Sequence, residues 1–290
     1  MPELPEVERV RRSIAAHIVG ARVERAELLR EDVCESFEAA KKVSTRPREL
    51  FEGAVVADVL RHGKQIAILA EDGRVMCVHL GMTGHLAFVA VSNTEELKPH
   101  THLRWELANA QKSPTTLGRM VFTDPRRFGG VWTFPNFSEL KAARWDQLGP
   151  DALNIEGQHL IGAFKGSRRA VKAALLDQAV LAGVGNIYAD ESLFRSKIDP
   201  RAIAARLKPE PIQRLAAMIR EVLCEAIEAG GSTLRDFRDA DDSAGSYQRN
   251  HQVYGRSGLP CLVCQTSLHG LVLAQRATVL CRACQSRNPR

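Results

Sequence analysis

Four cysteines near the C-terminus constrain this fold more than any other feature of the sequence. They form two Cys-x-x-Cys pairs, CLVC and CRAC, with sixteen residues between them. Two such pairs can place four thiolates on one tetrahedral ion, and the segment between them is long enough to form a β-hairpin. Because four thiolates leave no open coordination position, we expect one structural Zn²⁺ bound by Cys261, Cys264, Cys281 and Cys284. Two disulfides are the alternative for an exported chain, but the N-terminus MPELPEVERVRR has acidic residues where a secretory signal is apolar.

The residues around these cysteines are basic. From position 253 to position 290 there are five arginines and no aspartate or glutamate. A small zinc-bound hairpin has little core of its own, so one face stays available for contacts, and its charge favours phosphate as the partner. Arg276 lies inside the predicted hairpin, which makes it a stronger candidate for such a contact than the arginines of the basic tail.

The composition of the whole chain is that of an ordinary globular protein. Of its 290 residues, 44% are hydrophobic and 26% are charged, which excludes a disordered chain, a collagen and a disulfide miniprotein. No run approaches the ~20 apolar residues that a membrane span needs. We therefore expect a cytoplasmic protein without a membrane partner, and its net charge of +6 is compatible with a polyanion.

The hydrophobic pattern predicts a β-rich half followed by a helical half. Pro5 suits the first turn of a helix, and Val7, Val10, Ile14 and Ile18 then trace one apolar face. Short β-like runs follow at 22–29, 54–61, 64–70, 74–80, 84–91, 102–108, 119–123 and 129–134. Further helices are predicted at 168–181, 187–196 and 209–228.

These elements predict an α+β fold, with an N-terminal β-sandwich and flanking helices, a C-terminal helical domain and a β-hairpin zinc finger. The predicted divisions are the sandwich domain at 1–147, a hinge at 148–155, the helical domain at 156–252 and the finger at 253–290.

The N-terminus could carry chemistry. The small residue Pro2 permits removal of Met1, which leaves a secondary amine, and the reference pKa of an α-amino group is ~7.7–8.0. Such an amine is partly neutral at cellular pH, whereas a lysine amine is almost wholly protonated. Glu3 is adjacent, and Glu6 lies at the start of the predicted helix. An amine beside a carboxylic acid is the minimum apparatus for Schiff-base catalysis.

Several motifs carry a family resemblance. PELPEVE at 2–8, together with the four-cysteine finger, resembles the formamidopyrimidine-DNA glycosylase family of bifunctional base-excision repair enzymes that act on oxidised purines. The resemblance extends along essentially the whole chain and includes GK at 63–64, HLGMTGHL at 79–86, TDPRRFGG at 123–130, LLDQAVLAGVGNIYADESLF at 175–194, GGSTLRDF at 230–237 and QVYGRSGLPCLVC at 252–264.

The resemblance implies catalytic roles for five residues. Pro2 would be the nucleophile that attacks C1′ of the damaged nucleotide, and Glu3 the acid that protonates the opening sugar. Glu6 would help to organise the site. Lys64 would assist β-elimination and contact phosphate, and Arg276 would bind phosphate and support δ-elimination.

The resemblance also implies how double-stranded DNA is bound. The enzyme, expected to be a monomer, would bind the duplex in a cleft between its domains and flip the damaged base out of the stack. Met82 and Phe128 would fill the gap, and Arg126 would face the orphaned cytosine.

The helical domain would hold the DNA backbone. GVGN at 183–186 would be the turn of a helix–two-turns–helix element whose N–H groups and Asn186 bind a phosphate. The segment 239–248 corresponds to the flexible loop that covers the flipped base, and its three aspartates make it unusually acidic. Further DNA contacts are expected at His100, Arg168, Lys172 and Tyr188. Pro99, Thr101 and Arg168 depart from residues common in the family, which affects the expected loop conformation and contact geometry.

Two alternatives remain open. An enzyme resembling endonuclease VIII would share the N-terminal Pro-Glu pair and the finger but prefer oxidised pyrimidines. The Met82, Arg126 and Phe128 set favours the purine enzyme. A non-catalytic DNA-binding relative is the second alternative, and it would give no covalent complex with damaged DNA in the presence of borohydride.

Overall fold

The computed structural model describes residues 2–36, 47–91, 98–110, 115–234 and 237–289. Met1, Arg290 and positions 235–236 of the GGSTLRDF motif lie outside the described residues. The fold divides into two units. The first comprises Met1–Pro2, Glu6–Gln147 and Gly230–Gly245, and the second comprises Glu3–Pro5, Leu148–Ala229 and Ser246–Arg290.

The chain begins with the predicted amphipathic helix, α1 (Leu4–Ile18). The apolar face of this helix is buried, because Val7, Val10, Ile14 and Ile18 are each at most 1% exposed and belong to the core of the first unit. This part of the sequence prediction is confirmed.

Two sheets form the predicted sandwich. One is antiparallel and consists, in spatial order, of β1 (Ala21–Leu28), β7 (Thr101–Asn109), β8 (Thr116–Thr123) and β6 (His85–Ala90). The other consists, in spatial order, of β2 (Cys34–Ser36), β9 (Gly130–Phe134), β5 (Val75–His79), β4 (Gln65–Ala70) and β3 (Val56–His62). β2 lies parallel to β9, and the other neighbours are antiparallel.

Buried and partly exposed side chains alternate along the strands, which places one face of each such strand in the core. In β7, Leu103, Trp105 and Leu107 are buried, whereas Arg104 and Glu106 between them are partly exposed. Side chains on a strand alternate between its two faces, so one face of β7 lies in the core and the other is polar. The β-like runs of the sequence therefore predicted this unit well.

The central strand β5 is apolar on both faces. Met76 and Val78 lie in the main core, and Val75 and Cys77 lie in a second cluster that includes Leu140. A helical segment composed of α2 (Phe137–Leu140) and a wider helical turn at Lys141–Trp145 contributes to that cluster. This helical segment was not predicted from the sequence.

The second unit is helical, and the sequence predicted two of its helices. It contains α3 (Gly157–Phe164), α4 (Val171–Leu175), α5 (Asn186–Arg195) and α6 (Pro209–Glu228). The apolar face of α6 is buried in a core with α3, α4 and α5. The predictions for α5 and α6 are confirmed, whereas α3 was not predicted.

The helix predicted at 168–181 is wrong, because only α4 is helical there. The carboxylate of Asp177 accepts the backbone N–H of Ala179 at 3.0 Å. The amide of Gln178 donates to the carbonyl of Val184 at 2.9 Å and accepts the N–H of Gly183 at 3.0 Å. These side chains hydrogen-bond to the backbone and so favour a turn over a continued helix.

The predicted hairpin is present near the C-terminus. β10 (His269–Leu273) pairs with β11 (Arg276–Leu280) in antiparallel register. Ala274 and Gln275 form the turn with φ values of 49° and 59°. Two residues with positive φ form a type I′ turn, whose twist matches that of the paired strands.

Among the described residues, no helix is both long enough and apolar enough to cross a lipid bilayer.

Candidate active site and nucleic-acid-binding surface

The carboxylate of Glu3 is fixed at the N-terminus of α5. It is 2% exposed and accepts backbone N–H groups from Gly185 at 2.8 Å, Ile187 at 2.9 Å and Tyr188 at 3.4 Å. The positive end of the helix dipole favours a carboxylate there. A Cβ atom on Gly185 would lie 2.3 Å from the carboxyl carbon of Glu3, so glycine permits this approach.

This arrangement occupies three N–H groups at and after the GVGN turn. The N–H group of Gly185 in the turn, and those of Ile187 and Tyr188 that follow it, donate to Glu3 and so are not open to a phosphate. Pro2, the residue before Glu3, is buried.

Glu6 binds a second glycine-containing segment. Its carboxylate is 1% exposed and accepts the N–H of Ser232 at 2.7 Å. Gly231 has φ 81°, and a Cβ atom there would lie 2.8 Å from a carboxylate oxygen of Glu6. The position of Glu6 is therefore set by the backbone at 231–232.

Successive turns of α1 hold the acidic segment that follows. The guanidinium of Arg9 pairs with Asp239 at 2.8 Å, the hydroxyl of Ser13 accepts the N–H of Ala240 at 3.1 Å, and His17 lies 2.6 Å from Asp241. Residues 9, 13 and 17 share one face of a helix. Two of the three aspartates that make this segment acidic are thus bound by α1.

Lys64 lies in a two-residue turn between β3 and β4, where His62 pairs with Gln65. Across the sheet, Gln65 pairs with His79. Burial lowers the pKa of His79 to about 4, and the nearby charges of Arg144 and Lys64 act in the same direction. His79 is therefore a neutral imidazole beside Lys64. His79 was not identified as a site residue from the sequence, although it is the first residue of the HLGMTGHL motif.

Two loops of the first unit present large apolar side chains to solvent. Met82 is 42% exposed and Phe128 is 55% exposed. The guanidinium of Arg126 lies 4.7 Å from the centre of the Phe128 ring. The structure therefore brings Arg126 and Phe128 into direct contact and exposes both predicted wedge residues.

A buried carboxylate organises these loops. Asp124 is 0% exposed and accepts the hydroxyl of Thr83 and the N–H groups of Arg126 and Gly129. Its own N–H donates to the carbonyl of His100 at 3.1 Å. His100 is exposed and has φ 65°. Asp124 was not identified from the sequence, because its contacts with Thr83 and His100 join positions distant along the chain.

Two of the residues predicted to contact DNA, Lys172 and Tyr188, are buried in the second unit. Lys172 is 0% exposed and forms an ion pair with Asp190 at 2.7 Å. Tyr188 is 0% exposed and packs against the ring of Tyr247, with 5.9 Å between ring centres. Neither side chain offers a surface to DNA in this structure. Arg168, by contrast, is exposed.

Asn186 is partly buried and donates to the carbonyl of Ala277 at 2.9 Å.

Glu191, an acidic residue of α5, was not identified from the sequence. Glu191 is 0% exposed and accepts the backbone N–H groups of residues 252, 253 and 254. Burial raises the pKa of Glu191, and these backbone hydrogen bonds oppose the rise.

The four C-terminal cysteines form a candidate metal centre. Their sulfur atoms all lie within 4.8 Å of one another, with 3.4 Å between Cys264 and Cys281 and 4.0 Å between Cys261 and Cys284. Sulfurs on a tetrahedral zinc ion are separated by about 3.8 Å, given a Zn–S distance of ~2.3 Å. The four thiols are free of disulfides, so the cluster could bind a metal ion. Arg276 is exposed at the start of β11.

The fold and these sites define a class of nucleic-acid-binding protein. It has a β-sandwich, a helical unit in which Glu3 holds the turn before α5, and a basic four-cysteine finger. Models of the formamidopyrimidine-DNA glycosylase N-terminal domain and H2TH domain match residues 1–131 and 148–238. A formamidopyrimidine-DNA glycosylase of Xanthomonas campestris pv. campestris is 40% identical over 290 residues, which cover 98% of this chain and 100% of that protein. The chain therefore belongs to the formamidopyrimidine-DNA glycosylase family.

Solved structures agree with this assignment. The MutM (Fpg) protein of Thermus thermophilus is 36% identical, with a TM-score of 0.82 over 99% of this chain and 100% of that one. A Lactococcus lactis Fpg variant, crystallised with DNA containing Fapy-dG, is 29% identical, with a TM-score of 0.85 over 98% of this chain and 100% of that one.

Proposed function

We propose that this protein is a bifunctional DNA glycosylase and abasic-site lyase that removes oxidised purines, 8-oxoguanine and formamidopyrimidines, from double-stranded DNA. The observation that carries this proposal is the environment of Glu3, which follows the N-terminal proline and is held by three backbone N–H groups at the start of α5. Family membership and the DNA complex of a relative support the same substrate class.

Pro2 is the proposed nucleophile. Once Met1 has been removed, its secondary amine attacks C1′ of the damaged nucleotide, and the base leaves with its bonding electrons and takes up a proton from solvent. The amine releases its own proton to the carboxylate of Glu3. Glu3 then passes that proton to O4′ as the sugar ring opens, which gives a Schiff base between Pro2 and C1′. Fixing the carboxylate beside the amine removes the need to orient it during the reaction.

Strand cleavage follows from the Schiff base. Loss of a C2′ proton expels the 3′ phosphate by β-elimination, and loss of a C4′ proton then expels the 5′ phosphate by δ-elimination, which leaves a one-nucleotide gap. We assign the leaving phosphates to Lys64 and Arg276, with the neutral His79 as a further hydrogen-bond donor near Lys64. Glu6 holds the backbone beside the N-terminal helix.

Base extrusion is the proposed role of the two exposed loops. Unstacking a base requires a few kcal/mol, and apolar wedges maintain the resulting kink. Met82 and Phe128 are exposed on loops organised by Asp124, so they can enter a base stack without rearrangement of a core. Arg126 is proposed to face the orphaned cytosine. His100, Arg168 and Asn186 remain proposed backbone contacts.

We propose that the four cysteines bind one structural Zn²⁺. The spacing of their sulfurs supports a tetrahedral site, and four thiolates leave no open position for catalysis. The ion would brace the hairpin that carries Arg276. The four-part domain division, the monomeric state and the location of the enzyme with cellular DNA remain predictions from the sequence.

Excision assays test the proposed function. We expect wild-type protein to cleave a duplex with 8-oxoguanine opposite cytosine faster than one with thymine glycol. Glu3→Gln should reduce excision by about 10²–10⁴-fold, whereas Glu221→Gln, an exposed position on α6, should match wild type. Faster cleavage of thymine glycol would support the endonuclease VIII type, and cleavage of neither duplex would support a non-catalytic DNA-binding protein.

A further inference from the structure

The strand that begins with Arg276 is anchored to the helical unit by polar groups rather than by an extensive apolar core. The next three residues are bound in succession. The carbonyl of Ala277 accepts the amide of Asn186 at 2.9 Å, and the N–H of Val279 donates to Asp190 at 3.1 Å. Between them, Thr278 is 1% exposed.

Lys172 is the centre of this anchor. Its amine donates to the hydroxyl of Thr278 at 2.7 Å and to the carbonyl of Ala277 at 3.1 Å, in addition to its ion pair with Asp190 at 2.7 Å. The hydroxyl of Thr278 in turn donates to the carbonyl of Arg276 at 3.1 Å. A continuous polar chain thus leads from the buried ion pair to the backbone of Arg276.

Burying the ion pair of Lys172 and Asp190 costs desolvation free energy. Lys172 and Asp190 are 0% and 1% exposed, and burial lowers the pKa of Lys172 and raises that of Asp190 to about 6. Burial therefore acts against both charges. A well-packed apolar pair of similar volume is often equally stable or more stable than a buried ion pair. What an apolar pair cannot supply is directional hydrogen bonds to specific backbone atoms.

We propose that Lys172 and Asp190 are positioning residues that orient Arg276 toward the DNA phosphate. This inference rests on the proposed function, because it assigns the buried pair to the presentation of a phosphate-binding side chain. It also gives Lys172 a role that its burial permits, in place of the direct DNA contact expected from the sequence. Arg276 makes the contact, and the pair restricts the backbone from which the contact is made.

The test is a thermodynamic cycle on the zinc-loaded protein. The probe is a duplex that contains a tetrahydrofuran abasic analogue, and its dissociation constant is measured as a function of salt. The variants are Lys172→Met/Asp190→Leu, Arg276→Ala and the triple variant. A matched control, Arg195→Met/Glu225→Gln, removes an ion pair of 2.6 Å between α5 and α6. The side chain of Arg195 hydrogen-bonds to Glu221, Glu225 and Tyr247, which lie outside β11.

We expect the double variant and Arg276→Ala each to weaken binding by roughly tenfold and to lower the salt slope by about one. The triple variant should also be only about tenfold weaker, since residues that act through one contact are not additive. The control should bind like wild type. A roughly hundredfold loss in the triple variant, or wild-type binding by the double variant, would overturn the inference.

Thr278→Val is a milder variant that tests the same inference if the double variant loses its fold or its zinc. It removes one hydroxyl from the chain and nearly preserves volume. We expect a loss of about threefold that disappears when Arg276 is already alanine. A loss of equal size in both backgrounds would contradict the inference. Wild-type protein that does not bind the duplex would contradict the proposed function as well, whereas tight wild-type binding with additive variants would contradict this inference alone.

Discussion

The β-sandwich and the cysteine-containing hairpin are stabilised in different ways. The sandwich buries a large continuous core in which Trp105 and Phe122 are both 0% exposed. The described hairpin region has a small cluster that includes two of its own cysteines, and its second strand is held by Lys172 and Asp190. One region depends on the amount of apolar surface that it buries, and the other depends on a few specific bonds.

This difference affects how each region should respond to change. A large apolar core spreads its stability over many contacts, so the loss of one side chain lowers the free energy of unfolding without removing the fold. A hairpin that is braced by the proposed Zn²⁺ has few substitutes for its ligands or anchors, so its order should be lost in one step. The finger is therefore expected to be the sensitive part of the DNA-binding surface, and the following experiments test this contrast.

Removal of the proposed Zn²⁺ should have the largest effect. We expect chelation to disorder the hairpin and to weaken duplex binding by more than about 100-fold, while the sandwich stays folded. Amide hydrogen exchange should show rapid exchange in β10 and β11 but unchanged protection in β7 and β8. Equal duplex affinity before and after chelation would contradict the dependence of the DNA contact on the metal.

A core truncation tests the other region. Leu103→Ala should destabilise the sandwich by about 2–5 kcal/mol, because it opens a cavity in a close-packed core. Leu262→Ala is the matched control on the finger, where the side chain is 59% exposed, and a change within about 0.5 kcal/mol is expected. Urea denaturation measures the change in unfolding free energy for both variants. Equal changes would mean that the burial of a side chain does not determine its contribution to stability in the two regions.

Acid should weaken the first unit through Glu8. Burial raises the pKa of Glu8, but hydrogen bonds from Arg11, Arg12 and Arg61 outweigh it and lower the pKa from 4.5 to about 2. The folded state therefore gains stability that is fully present above pH 4.5 and is lost as the pH falls toward 2. The total is about 3 kcal/mol.

Urea unfolding between pH 6 and pH 2 measures this contribution of Glu8. The control is Glu8→Gln, which cannot titrate. The difference in unfolding free energy between wild type and this variant should shrink as the pH falls. A difference that stays constant with pH would show that Glu8 is not linked to folding in this way.

The turn of the hairpin should give the smallest effect. Gln275 has φ 59°, a conformation that is unfavourable by about 1–2 kcal/mol for residues with a side chain. Gln275→Gly should therefore stabilise the finger by up to about 1 kcal/mol, measured as slower zinc loss to a chelator. Gly53→Ala in the first unit, where φ is 83°, should instead lower the free energy of unfolding of that unit, measured by urea denaturation. Faster zinc loss in the glycine variant would contradict the expected turn strain.

The sequence predicted most elements that have a clear hydrophobic period. The face of α1, the alternation of β7 and the length of α6 all follow from local patterns. β2 has three residues and is too short to show a period. The helix predicted at 168–181 ended early, since propensity does not reveal that the side chains of Asp177 and Gln178 bind the backbone.

The site was harder to predict, because its residues interact over long sequence separations. Glu3 binds Gly185, which lies 182 positions away, and Lys172 binds Thr278, which lies 106 positions away. Family resemblance identified residues of interest, but it could not distinguish a lysine at the surface from one in a buried ion pair. Burial and partners had to come from the fold.

The most direct test of the account is to locate the covalent bond between enzyme and DNA. The intact mass of the native protein should show that Met1 is absent. Borohydride should then trap the protein on a duplex with 8-oxoguanine, and tryptic mass spectrometry should place the sugar adduct on residues 2–9. An adduct on Lys64 instead, or normal cleavage by protein that retains Met1 or has an acylated N-terminus, would contradict the assignment of Pro2 as the nucleophile.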